Sequence, residues 1–182
     1  HDVPLQELRI THCEIPATEL GVLIDRLLHC TYLQRLVLGG LEDSMALYNV
    51  VRDNLARFLP AHPLRRLGFH GILLGTATVH AVFSVCADVR HLTTLSVGGA
   101  DPTLIQNPSQ AAAIAAAVAK LIHVQRLFLD QLDLSADGIT RVLEAAAGMP
   151  NLNELYLPHR HPDAEADRAV VELFEKNPSI EW

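Results

Sequence analysis

Leu33-Gln34-Arg35-Leu36-Val37-Leu38 is one copy of a six-residue phrase, apolar-x-x-apolar-x-apolar, that recurs along the 182-residue chain. Five further copies occupy residues 5–10, 64–69, 92–97, 124–129 and 152–157, and a seventh begins at Ile180. Successive copies start 28 to 32 residues apart. A near-constant period of this length is typical of repeat proteins, and the alternating second half of the phrase predicts a β-strand with one buried face.

Between the phrases, the apolar residues recur with helical spacing. In the first linker, Leu20, Leu23, Ile24, Leu27 and Leu28 follow the i, i+3, i+4, i+7, i+8 pattern of an amphipathic helix. Similar stripes follow later phrases, at Val79, Val82, Phe83 and Cys86; Ile114, Ala117, Val118 and Leu121; Ile139, Val142, Leu143 and Ala146; and Ala169, Val170, Leu173 and Phe174. Residues 41–61 are less regular, and these and residues 101–110 are predicted to hold extra loop. Each repeat is therefore predicted to contain a strand and a helix.

A single strand-plus-helix unit cannot bury its own apolar faces, whereas a stack of such units can. We therefore predict an α/β solenoid of about six repeats of 28–32 residues, with right-handed crossovers between parallel strands. The strands line its concave side and the helices its convex side. Residues 1–182 are predicted to form one such domain. Because neither end has a dedicated polar cap, we expect it to be a fragment of a longer protein.

The phrase and its period resemble leucine-rich repeats of the ribonuclease-inhibitor type, whose repeats contain a full helix. The family consensus continues with Asn or Cys at the ninth position and an apolar residue at the eleventh, which Cys13 and Ile15 match in the first repeat. Later repeats depart from it, with Leu41, Ile72, Ala100, Leu132 and Arg160 at the ninth position. The resemblance covers nearly the whole chain, and it implies a protein-interaction domain whose concave strand face recognises a partner.

The third, fifth and seventh positions of the phrase are predicted to face the concave groove. The charged and aromatic residues there are our candidate partner-binding residues: Arg9, Arg35, Arg66, His70, Arg126, Phe128, Asp130, Glu154 and Tyr156. With the neighbouring positions two and eight included, this side carries five basic and three acidic residues, whereas the whole chain has a net charge of −7. A locally basic groove predicts an acidic protein partner. Ordinary solvated charge, compensated by neighbours, is the alternative.

Phe128 and Tyr156 occupy equivalent positions in consecutive phrases, and both are predicted to be exposed to solvent. Exposed aromatic residues beside an arginine, here Arg126, are typical of interface anchors. The alternative is that the two rings pack across the strands and only stiffen the sheet.

The histidines and cysteines give no convincing cofactor or metal site. The chain has no phosphate-binding glycine loop, no Cys-x-x-Cys pair and no zinc-protease motif, so no cofactor is predicted. His159, His161 and Asp163 offer three metal ligands in one segment, but a fourth ligand is missing and no metal is predicted.

Ser96, His70 and Asp130 are the residue types of a nucleophilic triad, on three consecutive predicted strands. His70 and Asp130 would lie two strands, or about 10 Å, apart with Ser96 between them. A catalytic histidine must contact both partners, so we predict no catalytic residues and a binding protein that is not an enzyme. The alternative is the substrate-recognition domain of a larger enzyme, such as a ubiquitin ligase or a secreted bacterial effector.

Composition restricts the class of partner and the compartment. The net charge of −7 argues against nucleic-acid or membrane-surface binding. No apolar stretch approaches the roughly 20 residues that span a bilayer. Cys13, Cys30 and Cys86 form an odd set among apolar neighbours, so we expect buried free thiols, which favour a reducing intracellular compartment.

Overall fold

A computed structural model describes residues 4–11, 13, 15–40, 44–70, 74–98, 108–130, 132 and 134–157, together with residues 168, 171, 173 and 175. It contains six strands, one in each phrase: β1 (Glu7–Ile10), β2 (Arg35–Gly39), β3 (Arg66–His70), β4 (Thr94–Val97), β5 (Arg126–Phe128) and β6 (Glu154–Tyr156). They form one parallel sheet in the order β1-β2-β3-β4-β5-β6. The predicted strands and their parallel pairing are confirmed.

Helical segments connect the strands. They are α1 (Ala17–Leu27), α2 (Met45–Asn49), α3 (Ala56–Ala61), α4 (Thr76–Ala87), α5 (Pro108–Val118) and α6 (Ala136–Ala147). After β6, residues 168, 171, 173 and 175 are also helical. The chain therefore has a mixed α/β fold in which one strand-plus-helix unit repeats.

The linker between β2 and β3 differs from the prediction of extra loop. From Met45 to Ala61 it is helical throughout, because the wider π-helical turn Val50–Leu55 joins α2 directly to α3. Through the π turn the buried residues Leu47, Val51, Leu55 and Phe58 keep a spacing of three or four residues, which is the spacing of an amphipathic helix. The longer repeat is therefore accommodated by this helical segment, and residues 41–43 lie outside the described part.

Parallel register places equivalent phrase positions side by side. The fourth position forms a continuous row: Leu8, Leu36, Leu67, Leu95, Leu127 and Leu155. From Leu36 onward these leucines are at most 2% exposed, and they pack with the apolar stripes of the helices in one core. Full burial of each leucine contributes about 1.5–3 kcal/mol before entropic costs. The described helices thus pack on one face of the sheet, and none of them covers the opposite face.

Serine side chains and glycines define where two helices begin and one strand ends. Ser44 and Ser135 accept hydrogen bonds from the amides of Leu47 and Gly138, which caps the first turns of α2 and α6. After β2, Gly40 has a φ of 69°, a conformation that glycine adopts without strain.

The three cysteines are free thiols, but they are not equally buried as we predicted. Cys86 is buried in the core, and burial raises its pKa to about 12. Cys30 is half-buried, whereas Cys13 is exposed. The prediction is wrong for Cys13, which follows β1 at the edge of the described sheet.

His62, between α3 and β3, is the one histidine that is fully buried among the described residues, at 2% exposure. Its ring stacks on Phe58 with centroids 4.6 Å apart, and neither ring nitrogen makes a hydrogen bond. Burial lowers its pKa, and the nearby His91 lowers it further, while the backbone carbonyls of Cys30 and Leu33 only partly oppose this. The imidazole is therefore held in its neutral form.

This burial predicts a loss of stability in mild acid. Because the pKa of His62 is lower in the folded chain than its ordinary value near 6.5, the unfolded chain binds the proton more readily. The contribution of neutral His62 to the free energy of unfolding is complete above that ordinary pKa. It is lost as the pH falls through the lower pKa of the folded chain. Urea unfolding of the native chain and of His62→Phe, which keeps the stack on Phe58, tests this. Equal pH dependence in the two proteins would contradict the prediction.

Candidate functional site

The face of the sheet opposite the helices, here called the open sheet face, carries ordered rows of side chains. The third phrase position gives Glu7, Arg35, Arg66, Thr94, Arg126 and Glu154 in register. The fifth gives Arg9, Val37, Gly68, Ser96, Phe128 and Tyr156. Neighbouring residues within a row are separated by one strand spacing, about 4.8 Å at the backbone.

Acidic residues pair with arginines at both ends of the third-position row. At one end, the Glu7 carboxylate accepts a short hydrogen bond from Arg9 Nε and lies 3.5 Å from Arg35 Nη1. The hydrogen bond from Arg9, followed by the charge of Arg35, lowers the pKa of Glu7. At the other end, Arg126 Nε lies 3.9 Å from Glu154 Oε1. Such exposed pairs add little stability, typically below about 1 kcal/mol.

Arg66, in the middle of this row, has no acidic partner. It is exposed, and it makes no ion pair with any residue in the described part of the chain. Its neighbour in register on β2 is Arg35, and its neighbour on β4 is Thr94. Like charges directly opposite each other destabilise a sheet. The row therefore contains one uncompensated cation beside a second arginine.

A cavity of about 200 Å³ opens on this face. Its lining residues are Arg35, Val37, Arg66, Leu67, Gly68, His70, Thr94, Ser96, Arg126 and Phe128. Val37, although it is on the open sheet face, is only 7% exposed and gives the cavity an apolar floor. Basic groups thus surround a partly apolar depression at the centre of the sheet.

His70 lies along its own strand, over Gly68. A Cβ atom at Gly68 would be 2.9 Å from His70 Nε2, so the missing side chain is what makes room for the ring. Burial lowers the pKa of His70; the charge of Asp130 opposes this, and those of Arg9 and Arg35 add to it. His70 is therefore a neutral hydrogen-bonding group at neutral pH.

The geometry gives no support to a nucleophilic triad. Among the described contacts, no hydrogen bond joins His70 to Ser96 or to Asp130, which is exposed just beyond β5. No group of three or more His, Cys, Asp or Glu that would hold a metal occurs in the described part. The weighed ligands His159 and His161, with Asp163, lie outside the described residues.

Phe128 and Tyr156 form a stacked pair on β5 and β6. Their ring centroids are 4.6 Å apart and their planes differ by 9°. Tyr156 is 40% exposed, which confirms the predicted exposure. Phe128 is half-buried, and the prediction of an exposed ring is wrong for it because Tyr156 covers one of its faces. The cross-strand packing weighed as the alternative is therefore present, while Tyr156 still offers a surface to solvent.

The structure brings five of the nine candidate residues around the cavity: Arg35, Arg66, His70, Arg126 and Phe128. Arg9 lies beside the lining residue Val37 in register, and Glu154 and Tyr156 contact the lining residues Arg126 and Phe128. The ninth candidate, Asp130, is exposed beyond β5. Thr94 and Ser96, at the third and fifth phrase positions, line the cavity as well. The sequence places both on this face, but only charged and aromatic residues were chosen as binding candidates, and Ser96 was considered only as a nucleophile.

No protein-family model and no curated protein sequence matches this chain. Solved structures do, among them the C-terminal domain of tropomodulin from Caenorhabditis elegans, with a TM-score of 0.58 and 15% sequence identity. The alignment covers 79% of this chain and 83% of that domain, whose fold is leucine-rich-repeat-like. At this identity the likeness concerns the fold. No helix in the described ranges is long and apolar enough to cross a bilayer.

Proposed function

We propose that this chain is a protein-interaction module and that the open sheet face is its binding surface. In this proposal the repeats form a leucine-rich-repeat solenoid of the ribonuclease-inhibitor type, so that the open sheet face lies on the concave side. The observation that carries the proposal is the set of arginines and stacked aromatic rings gathered around one cavity, on a face that no helix in the described part of the chain covers. Arginine and aromatic residues are enriched among the residues that dominate binding energies.

The proposed role is binding without catalysis. Acid–base or nucleophilic chemistry needs a base within hydrogen-bond reach of its partners. On the open sheet face, His70 instead lies over Gly68. The arginines there pair with carboxylates, except Arg66, which has no ion-pair partner among the described residues. These are the arrangements of a recognition surface.

The partner that suits this face is an acidic protein surface. Arg66 has no acidic partner in the described part, and the chain around this face is strongly acidic overall, with a net charge of −7. The net negative charge of the chain disfavours binding to nucleic acids and to anionic membranes. Binding is therefore expected to weaken as salt increases.

A triple variant, Arg126→Ala with Phe128→Ala and Tyr156→Ala, tests the proposal. Immobilised native chain and variant are used to capture proteins from a lysate of the source cells, and the captured proteins are identified by mass spectrometry. Each specific protein is then purified and its affinity for both chains is measured. We expect a loss of at least 100-fold, because arginine and aromatic anchors cost about 2 kcal/mol or more each when truncated.

The matched control removes the same kinds of side chain elsewhere: Arg90→Ala with Tyr32→Ala and Met45→Ala. Tyr32 and Met45 are 64% and 71% exposed, and Arg90 is exposed in the loop before β4. Circular dichroism establishes that both variants fold. Equal retention of the partner by the site variant and the native chain would overturn the proposal, and the helices or the repeat ends would become the candidate surfaces.

A further inference from the structure

The side chains of the open sheet face carry an excess of one positive charge, which one negative charge of a ligand would balance. The third-position row contains three arginines and two glutamates. Glu7 pairs with both Arg9 and Arg35, and Glu154 pairs with Arg126, so Arg66 has no ion-pair partner among the described residues. With Arg9 and Asp130 included, the face carries four arginines and three carboxylates, an excess of one positive charge. A single carboxylate would balance this row, whereas a dianion would exceed its charge.

Hydrogen-bonding capacity is also unused in the same place. Thr94 lies between Arg66 and Arg126 in the row and lines the cavity, and its hydroxyl oxygen is covered without a hydrogen-bond partner. A covered hydroxyl without a partner is unfavourable. An oxyanion held by Arg66 would accept a hydrogen bond from this hydroxyl after a turn about its χ1, which in threonine has more than one accessible rotamer.

An apolar surface adjoins the charged part of the cavity. From Thr94 on β4, Phe128 on β5 lies one strand across and two residues further along, which is about 8 Å at the backbone. Phe128 lines the cavity and stacks on Tyr156, whose ring is partly open to solvent. In an extended peptide, side chains two residues apart point to the same side about 6.6 Å apart, and the length of glutamate and phenylalanine side chains spans the remaining difference. The surface therefore fits an acidic side chain and an apolar one at positions i and i+2.

We propose that the cavity is a carboxylate site: it binds a glutamate or aspartate side chain of an extended partner segment, and the aromatic or large apolar residue two positions away packs on Phe128 and Tyr156. This inference rests on the proposed function, because it specifies the chemistry of the partner at the same face. The carboxylate lies over Thr94, between Arg66 and Arg126 in the row, where its charge also offsets the repulsion between Arg66 and Arg35.

The test uses the tripeptide acetyl-Glu-Ala-Phe-amide as the probe and follows the arginine Nε–H resonances of the native chain by NMR. We expect saturable shifts of the Arg66 and Arg126 resonances. The neutral peptide acetyl-Gln-Ala-Phe-amide should bind about tenfold more weakly, since only charge is lost. Arg66→Gln should weaken the glutamate peptide about tenfold as well. Arg90→Gln, which removes the same charge from an exposed loop, should leave its affinity unchanged.

Three outcomes would overturn the carboxylate site: no saturable shift, equal binding of the glutamate and glutamine peptides, or tighter binding of a phosphoserine peptide of otherwise identical sequence. Failure here is distinct from failure of the proposed function. If the triple variant loses a captured protein while the peptides behave alike, the face binds a protein without a carboxylate site. If the glutamate peptide binds as expected while capture is unaffected, the site exists but the face does not recruit that protein.

Discussion

Replacing Leu127 with alanine is expected to lower the free energy of unfolding by about 2–5 kcal/mol. Leu127 is fully buried in β5, and its neighbours in register are Leu95 and Leu155. Truncation removes buried methyl groups and leaves a space that close-packed neighbours on both strands cannot fill. The effect is large because this leucine belongs to the core that joins successive repeats.

The adjacent residue provides the comparison. Phe128 faces the open side of the sheet and stacks on Tyr156. Phe128→Ala should therefore lower the free energy of unfolding mainly by the loss of this stacking, about 0.5–1.5 kcal/mol, with a small further loss from its partial burial. Gln125→Ala, at an exposed position before β5, should change stability by less than about 0.5 kcal/mol. Urea unfolding followed by circular dichroism measures all three. A loss at Leu127 no larger than that at Phe128 would contradict the assignment of the two sheet faces.

The strand phrase was sufficient to predict the sheet because it combines two features, an alternation of apolar residues and a regular recurrence along the chain. Its alternation selects the buried face, and its recurrence places equivalent residues in register, as Leu36, Leu67 and Leu95 show. The helix of the first linker was equally predictable from the spacing of Leu20, Ile24 and Leu27, and all three are buried in α1. The segment from Met45 to Ala61 was predicted to hold extra loop because its linker is long, although Leu47, Leu55 and Phe58 are at helical spacing and are buried.

The candidate site was predictable in position but not in its internal contacts. Register alone placed Arg35, Arg66 and Arg126 on one face. Which arginine stays without a carboxylate depends on side-chain conformations, because Glu7 reaches both Arg9 and Arg35 and no sequence pattern fixes that choice. Exposure was misjudged for the same reason: neighbouring side chains that lean across the sheet determine how far residues such as Phe128 are covered.

The largest expected effect on binding comes from reversing the charge of Arg66. With the captured partner, Arg66→Glu should cost about 2–5 kcal/mol, roughly a 30-fold to several-thousand-fold loss of affinity, because a favourable charge contact becomes a repulsive one at the centre of the interface. Arg66→Gln should lose less and should also reduce the dependence of affinity on salt. Calorimetry at two salt concentrations measures both effects.

The stability of the same variant separates lost recognition from lost folding. Arg66 lies beside Arg35 in register and has no ion pair among the described residues, so the acidic substitution replaces a like-charge contact by an attractive one. Arg66→Glu should therefore be at least as stable as the native chain while binding far more weakly. Arg90→Glu makes the same change in net charge at an exposed loop position. If it weakens binding equally, the overall charge, and not the open sheet face, governs association with the partner.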